Sequence, residues 1–146
     1  MESKCIESPL ADLESNLCLT QLLGLVPEHA RQLTWEILEI EGIGNLMPIG
    51  RSLKDLQGEI SVSSLGRIFA FREVLMISEC MDQIFEATIC GYEIREGRPL
   101  LGPGRNPELK SRYFFQIIDS AILRVCSCDQ SFIQQATSLL GLAVSL

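Results

Sequence analysis

The sequence predicts an all-α protein, a single domain over residues 1–146 in which six to eight helices pack around one buried central helix. Three observations favour this class. Apolar residues recur at three- and four-residue steps along most of the chain, as they do on the buried face of a helix. Residues that commonly cap helices precede several of these segments. The stretch after Ser63 is apolar almost all round, which is typical of a central, fully buried helix.

The first predicted helix has Ser8 as its cap and Pro9 at its first position, and it ends at Gly24. Its apolar face consists of Leu10, Leu13, Leu17, Leu19, Leu22 and Leu23. This spacing predicts a helix that packs its leucines into the core.

The second predicted helix spans residues 27–42, and a short strand over residues 35–41 is the alternative. Glycine and proline residues make 42–52 a loop. A short helix that carries Leu53 and Leu56 follows.

The central helix begins at a serine cap, residue 63 or 64, and runs to about Ala87. A loop punctuated by glycine and proline occupies residues 97–107. One helix then extends to Val125, and Asp129 caps the last helix.

Composition limits the possible partners and locations. The chain has 146 residues, of which 47% are apolar, and this suits one domain with a substantial core. A net charge of −7 argues against nucleic acid or an anionic membrane as the partner, because both need a basic surface. The apolar run from Ser138 to Leu146 is about half the length that crosses a bilayer, so no transmembrane anchor is expected. The acidic start does not resemble a secretory leader, and a cytoplasmic location is predicted.

The six cysteines lack the spacing of a disulfide framework, so the sequence predicts free, mostly buried thiols in the cytosol or nucleus. Cys126 and Cys128 offer two metal ligands, but His29 is far away in the sequence and a closed zinc site needs four ligands. No metal is therefore expected. An exposed Cys5 or Cys90 that links two subunits leaves a homodimer open.

Signatures of catalysis are missing from the sequence. There is no phosphate-binding Walker loop, no Gly-x-Ser-x-Gly elbow and no His-Glu-x-x-His pair. We therefore expect a binding protein that is not an enzyme and uses no cofactor.

The segment SSLGRIFAF, at the start of the predicted central helix, resembles the first homology segment of the Bcl-2 family of apoptosis regulators. Gly66, Arg67 and the apolar run after them match that family's pattern. Ser64 and Leu65 stand where the family has Asn and Trp.

The segment from Asp129 to Leu142 resembles the second homology segment of the same family. Phe132 and Ile133 take the place of its Trp-Ile pair, and the family's Gly-Gly-Trp ending is absent.

The resemblance implies a Bcl-2-like helical bundle, similar to virus-encoded members, that inhibits apoptosis. Such a protein captures the amphipathic death-motif helix of pro-apoptotic relatives in an apolar surface groove. Arg67 would bind an aspartate of that helix through its planar guanidinium. The other groove residues on this hypothesis are Gly66, Leu65, Phe69, Leu53, Leu56 and Val74. A peripheral position at mitochondria is then an option beside the cytoplasm.

An alternative function comes from the N-terminal leucines. Leu10, Leu13, Leu17 and Leu19 have the spacing of a nuclear export signal, and the segment from Leu19 to Leu23 resembles a nuclear-receptor box. On this hypothesis the protein is a nucleocytoplasmic adaptor or viral accessory protein. It requires Leu13, Leu17 and Leu19 to be exposed.

Overall fold

A six-stranded antiparallel sheet organises the computed structural model, which describes residues 3–10, 14–62, 67–93 and 111–141. The strands are β1 Lys4–Pro9, β2 Thr34–Gly44, β3 Arg67–Phe69, β4 Met81–Tyr92, β5 Tyr113–Ile118 and β6 Ile122–Ser127. The helices are α1 Ser15–Gly24, α2 Leu53–Val62, α3 Phe71–Cys80 and α4 Gln130–Leu139, with short 3-10 helices at Glu28–Gln32 and Met47–Ile49. The strand order is β1-β6-β5-β4-β2-β3.

The all-α prediction is wrong, and so is the Bcl-2-like bundle that it described. Strands occupy segments in which the sequence predicted helices. The predicted central helix is in fact three elements, β3, α3 and β4, and α3 ends where Met81 adopts an extended conformation. No central helix therefore exists among the described residues.

A bulge in β2 explains why this strand has the pattern of a helix. The pairing of β2 with β4 shifts between Ile37 and Glu39, which leaves Leu38 as an extra residue. As a result Trp35, Ile37 and Ile40 all belong to the same core cluster, although the last two are three residues apart. The strand alternative for residues 35–41 is the correct one.

The helix predicted up to Val125 is a hairpin of β5 and β6. Its turn places Asp119 and Ser120 at positive φ values of 51° and 56°, and Ala121 N donates to Ile118 O at 2.9 Å. Two successive residues at positive φ characterise the turn whose twist matches that of the flanking strands.

The last helix agrees with its prediction, whereas the first helix begins later than predicted. Helix α1 begins only at Ser15, because Ser8 and Pro9 belong to strand β1 rather than to a helix start. The last helix is confirmed, since the Asp129 carboxylate accepts a hydrogen bond from Phe132 N at 3.1 Å as its cap. The predicted loop at residues 97–107 lies outside the described residues.

Trp35 lies at the centre of the main core, with no exposed surface. Its indole meets the Phe71 ring edge-on at 4.9 Å between centroids, and its Nε1 donates to Ala30 O at 3.3 Å. The ring also covers Gly91 of β4, where a Cβ would come within 2.7 to 2.9 Å of three indole atoms. The strand beneath the indole therefore requires a glycine.

The prediction of six free thiols is wrong for one pair. Cys5 and Cys126 form a disulfide across β1 and β6. Cys18 and Cys90 are free and buried, and the other two cysteines are free and half-buried. Neither residue proposed to link subunits is an exposed free thiol, since Cys5 is bonded and Cys90 is buried.

Helices cover one face of the sheet, where they form the main core with it. A separate, smaller cluster lies on the other face and consists of Cys90, Tyr92, Phe114 and Cys126, with Leu38 packed against it. No residue of a described helix belongs to this second cluster. No helix in the described part of the chain is long and apolar enough to span a membrane.

We expect Gly91→Ala to lower the free energy of unfolding by roughly 1–3 kcal/mol, because the added methyl overlaps the Trp35 indole. Urea unfolding followed by tryptophan fluorescence measures this change. The matched control is Gly58→Ala in α2, where a Cβ meets nothing within 4 Å. This control should raise stability by about 0.5–1 kcal/mol, since alanine favours a helix over glycine. Equal stability of the two variants would contradict the packing described.

Candidate functional site

Along each strand, side chains that enter the main core alternate with side chains that point to the opposite side of the sheet. That opposite side is called the second face. One row of directly paired residues crosses all six strands on this face, in the order Ile68, Glu36, Cys90, Phe114, Cys126 and Cys5. The row contains a carboxyl group, a free thiol and a disulfide. Reactive and titratable groups are thus concentrated on the side of the sheet that carries no described helix.

Glu36 is an acidic residue with no exposed surface. Tyr92 donates its hydroxyl to Glu36 Oε1 at 2.7 Å, whereas no described residue bonds Oε2. Burial raises the pKa of Glu36 to about 7, and the hydrogen bond from Tyr92 opposes this effect. The carboxyl group therefore changes its charge near neutral pH.

Cys90 lies directly opposite Glu36 in the adjacent strand. Burial raises the pKa of its thiol to about 12, a hydrogen bond with Ser111 opposes the rise, and the charge of Glu36 adds to it. A thiol with such a pKa stays protonated at neutral pH, and a protonated thiol is a poor nucleophile. Cys90 is therefore unsuited to covalent catalysis.

Farther along β2 and β4, the second face carries a carboxylate patch, defined as Glu39, Glu41 and Glu86. Glu41 pairs directly with Glu86 across the two strands. Burial raises the pKa of Glu39, and the nearby charges of Glu86 and Glu41 raise it further. Glu86 Oε1 accepts a hydrogen bond from Asp119 N at 2.9 Å.

Among the described residues, the carboxylate patch has no neutralising partner. No lysine or arginine in the described ranges forms an ion pair with any of its three members. Arg124 lies on the same face, and its Nε is 3.6 Å from a carboxylate oxygen of Glu7 on β1. The patch is therefore a concentrated negative charge on an uncovered part of the sheet.

The residues predicted to line a groove are not gathered on the surface. Leu56 of α2, Phe69 of β3 and Val74 of α3 are buried in the main core, and Leu53 is partly buried against it. Arg67 begins β3, where its Cα pairs with that of Ile37. The side chain of Arg67, and residues Leu65 and Gly66, lie outside the described part of the structure.

The anti-apoptotic function and its pro-apoptotic partners stay predictions, as does a homodimer. The groove assigned to that function required a central helix, and its place is taken by β3, α3 and β4. Because the described apolar members of the set are core residues, they explain stability and identify no surface site.

The alternative function needs an exposed leucine face on α1. Leu17 is 52% exposed, but Leu19 is only 1% exposed. Leu22 and Leu23 are also buried, and Leu13 is outside the described residues. Helix α1 would have to leave the core before all of these leucines could meet a partner.

The sequence analysis did not single out Glu36 or the neighbouring acids Glu39 and Glu41. The signal that identifies them is the alternation of Trp35, Glu36 and Ile37 in a strand. Once residues 35–41 are assigned to a strand, alternation places Glu36 on the side opposite the core, whereas Glu39 reaches that side only because of the bulge at Leu38.

The residues covered by the structure contain no group of three or more His, Cys, Asp or Glu side chains that could hold a metal ion. Comparisons with family models, curated proteins and solved structures gave no match.

We expect wild-type stability to fall as the pH rises from about 4.5 to 7, because folded Glu36 keeps a proton that the unfolded chain loses. This loss amounts to at most about 3 kcal/mol and levels off above that window. Glu36→Gln cannot ionise, so its stability should not show this part of the pH dependence. Urea unfolding at several pH values measures the difference between the two proteins.

The control for this experiment is Glu14→Gln, which changes an exposed carboxyl group. Its stability curve should run parallel to that of the wild type. If the Glu36→Gln curve is also parallel, Glu36 does not titrate with a raised pKa.

We expect Glu41→Gln to raise the free energy of unfolding by up to about 1 kcal/mol at low salt, because it removes a like charge directly opposite Glu86. The gain should shrink as salt screens the repulsion. Urea unfolding at low and high sodium chloride concentrations measures it. A loss of stability at low salt would show that the two carboxylates do not repel each other.

Proposed function

We propose that the protein is a binding protein whose carboxylate patch captures a cationic segment of a partner protein. The observation that carries this proposal is the direct pairing of Glu41 with Glu86, beside Glu39, without a neutralising cation in the described structure. Like charges directly opposite each other in a sheet destabilise the fold. A lysine or arginine from a partner would relieve that repulsion.

The charge of the whole chain supports the same partner. A net charge of −7 attracts basic molecules from a distance and speeds their association. The negative electrostatic potential that a basic partner meets is strongest where acidic groups are concentrated on an exposed surface. The carboxylate patch is such a concentration. The patch would therefore fix the position of a partner that the overall charge draws in.

The surroundings of the patch suit a contact with protein. Ile122, at the start of β6, lies on the second face and is 40% exposed. Ile43 follows Glu41 on β2 and is 54% exposed. Protein interfaces combine apolar contacts with charged groups at the rim. The partner segment would therefore carry apolar residues beside its basic ones.

Titration with an octalysine peptide tests the proposal, with NMR chemical shifts as the readout. Glu39→Gln, Glu41→Gln and Glu86→Gln are combined in one patch variant. The control variant combines Glu14→Gln, Glu28→Gln and Glu79→Gln, which are exposed residues outside the sheet, and it has the same net charge.

The patch variant should bind the peptide at least about tenfold more weakly, and its affinity should depend less on salt, because it has lost its local cation contacts. The control variant should lose less than about threefold. Equal weakening of the two variants would mean that only the net charge matters, and the patch would lose its assigned role. Partner candidates from cells are then proteins that the control variant retains and the patch variant loses.

A further inference from the structure

Strand β1 is an edge strand that a covalent bond fastens to the sheet. Among the described strands it pairs only with β6, and Cys5 lies directly opposite Cys126 in that pairing. The same strand contributes the partly buried Ile6 to the main core. The disulfide therefore adds a covalent link to the backbone pairing and side-chain packing that also hold β1 on the sheet.

The two cysteines of the disulfide differ in their exposure to solvent. Cys5 is an exposed residue, whereas Cys126 has no exposed surface. An attacking thiolate from outside would therefore approach the bond from the Cys5 side. Arg124 Nη2 lies 3.9 Å from Cys5 Sγ. A guanidinium at this distance favours the thiolate form of Cys5 and makes it a better leaving group.

We propose that Cys5 and Cys126 form a thiol–disulfide exchange site whose redox state controls the attachment of β1. The co-substrate is a dithiol reductant. Its first thiolate attacks Cys5 Sγ, the bond to Cys126 breaks, and the electron pair goes to the Cys126 sulfur, which takes up a proton. The second thiol of the reductant, as a thiolate, then attacks the reductant's own sulfur in the mixed disulfide.

The second step releases the Cys5 thiolate beside Arg124 and leaves the reductant as a disulfide. Two protein cysteines are reduced and one dithiol is oxidised. Cys126 takes up one of the two protons that the dithiol loses, and the other goes to solvent, so electrons and protons balance. In the reduced protein, backbone pairing, the packing of residues such as Ile6 and the ion pair between Glu7 and Arg124 hold β1 on the sheet. An edge strand held in this way opens locally without unfolding of the remaining structure. The inference does not depend on the proposed function of the carboxylate patch.

The first test is a thiol count in denaturant without reductant. The air-oxidised protein should take up four alkyl groups, and the reduced protein should take up all six. Hydrogen exchange measured by mass spectrometry then compares the two forms. Amides of residues 4–9 should exchange at least about tenfold faster after reduction with dithiothreitol, while those of β4 keep their protection.

Cys5→Ser should exchange like the reduced protein even without reductant, and Cys128→Ser is the control that should leave the difference intact. Reduction by dithiothreitol should also proceed faster than global unfolding. Three results would overturn the proposal: uptake of six alkyl groups by the oxidised protein, reduction only at the unfolding rate, or equal protection of β1 in the two forms.

Discussion

The contact between the Trp35 indole and Gly91 sets the geometry on which the main core depends. The ring lies so close to β4 that no side chain fits between it and the strand at Gly91. The ring also contacts Phe71 and, at 6.1 Å between centroids, Tyr113. One residue thereby joins strands β2, β4 and β5 to helix α3. Ala30 accepts the indole N–H, so the buried ring leaves no polar group unpaired.

A smaller part of the local structure, but not the fold class, was predictable from the sequence. The cap at Asp129 is a short-range signal, and the helix it predicts is present. The bulge at Leu38 has no such signal, and it spaces core residues three apart, as a helix would. A similar bulge in β4 omits Phe85 from the pairing, so that Ile84 and Ala87 both reach the main core. Periodicity alone cannot distinguish a bulged strand from a helix.

The second face was hidden from sequence reasoning for a related reason. β5 is apolar on both sides, because Phe115 packs in the main core while Phe114 belongs to the second cluster. A strand buried on both faces has no alternation, and its continuous apolar run is also compatible with a buried helix. The acidity of residues 36–41 was visible in the sequence. The close approach of Glu41 to Glu86 was not, since it arises only when two strands 45 residues apart pair.

The pairing of β1 with β6 joins the first and last of the described strands, and the two bonded cysteines are 121 residues apart. A ribosome makes β1 before β6 exists, so β1 has no neighbour while the strands between them are made. Strands β2, β3 and β4 and helices α1 and α3 can assemble in that interval, since they precede β5 in the chain. The edge strand is thus the first of the described strands to be made and among the last to be placed, and the described sheet is complete only when β6 has emerged.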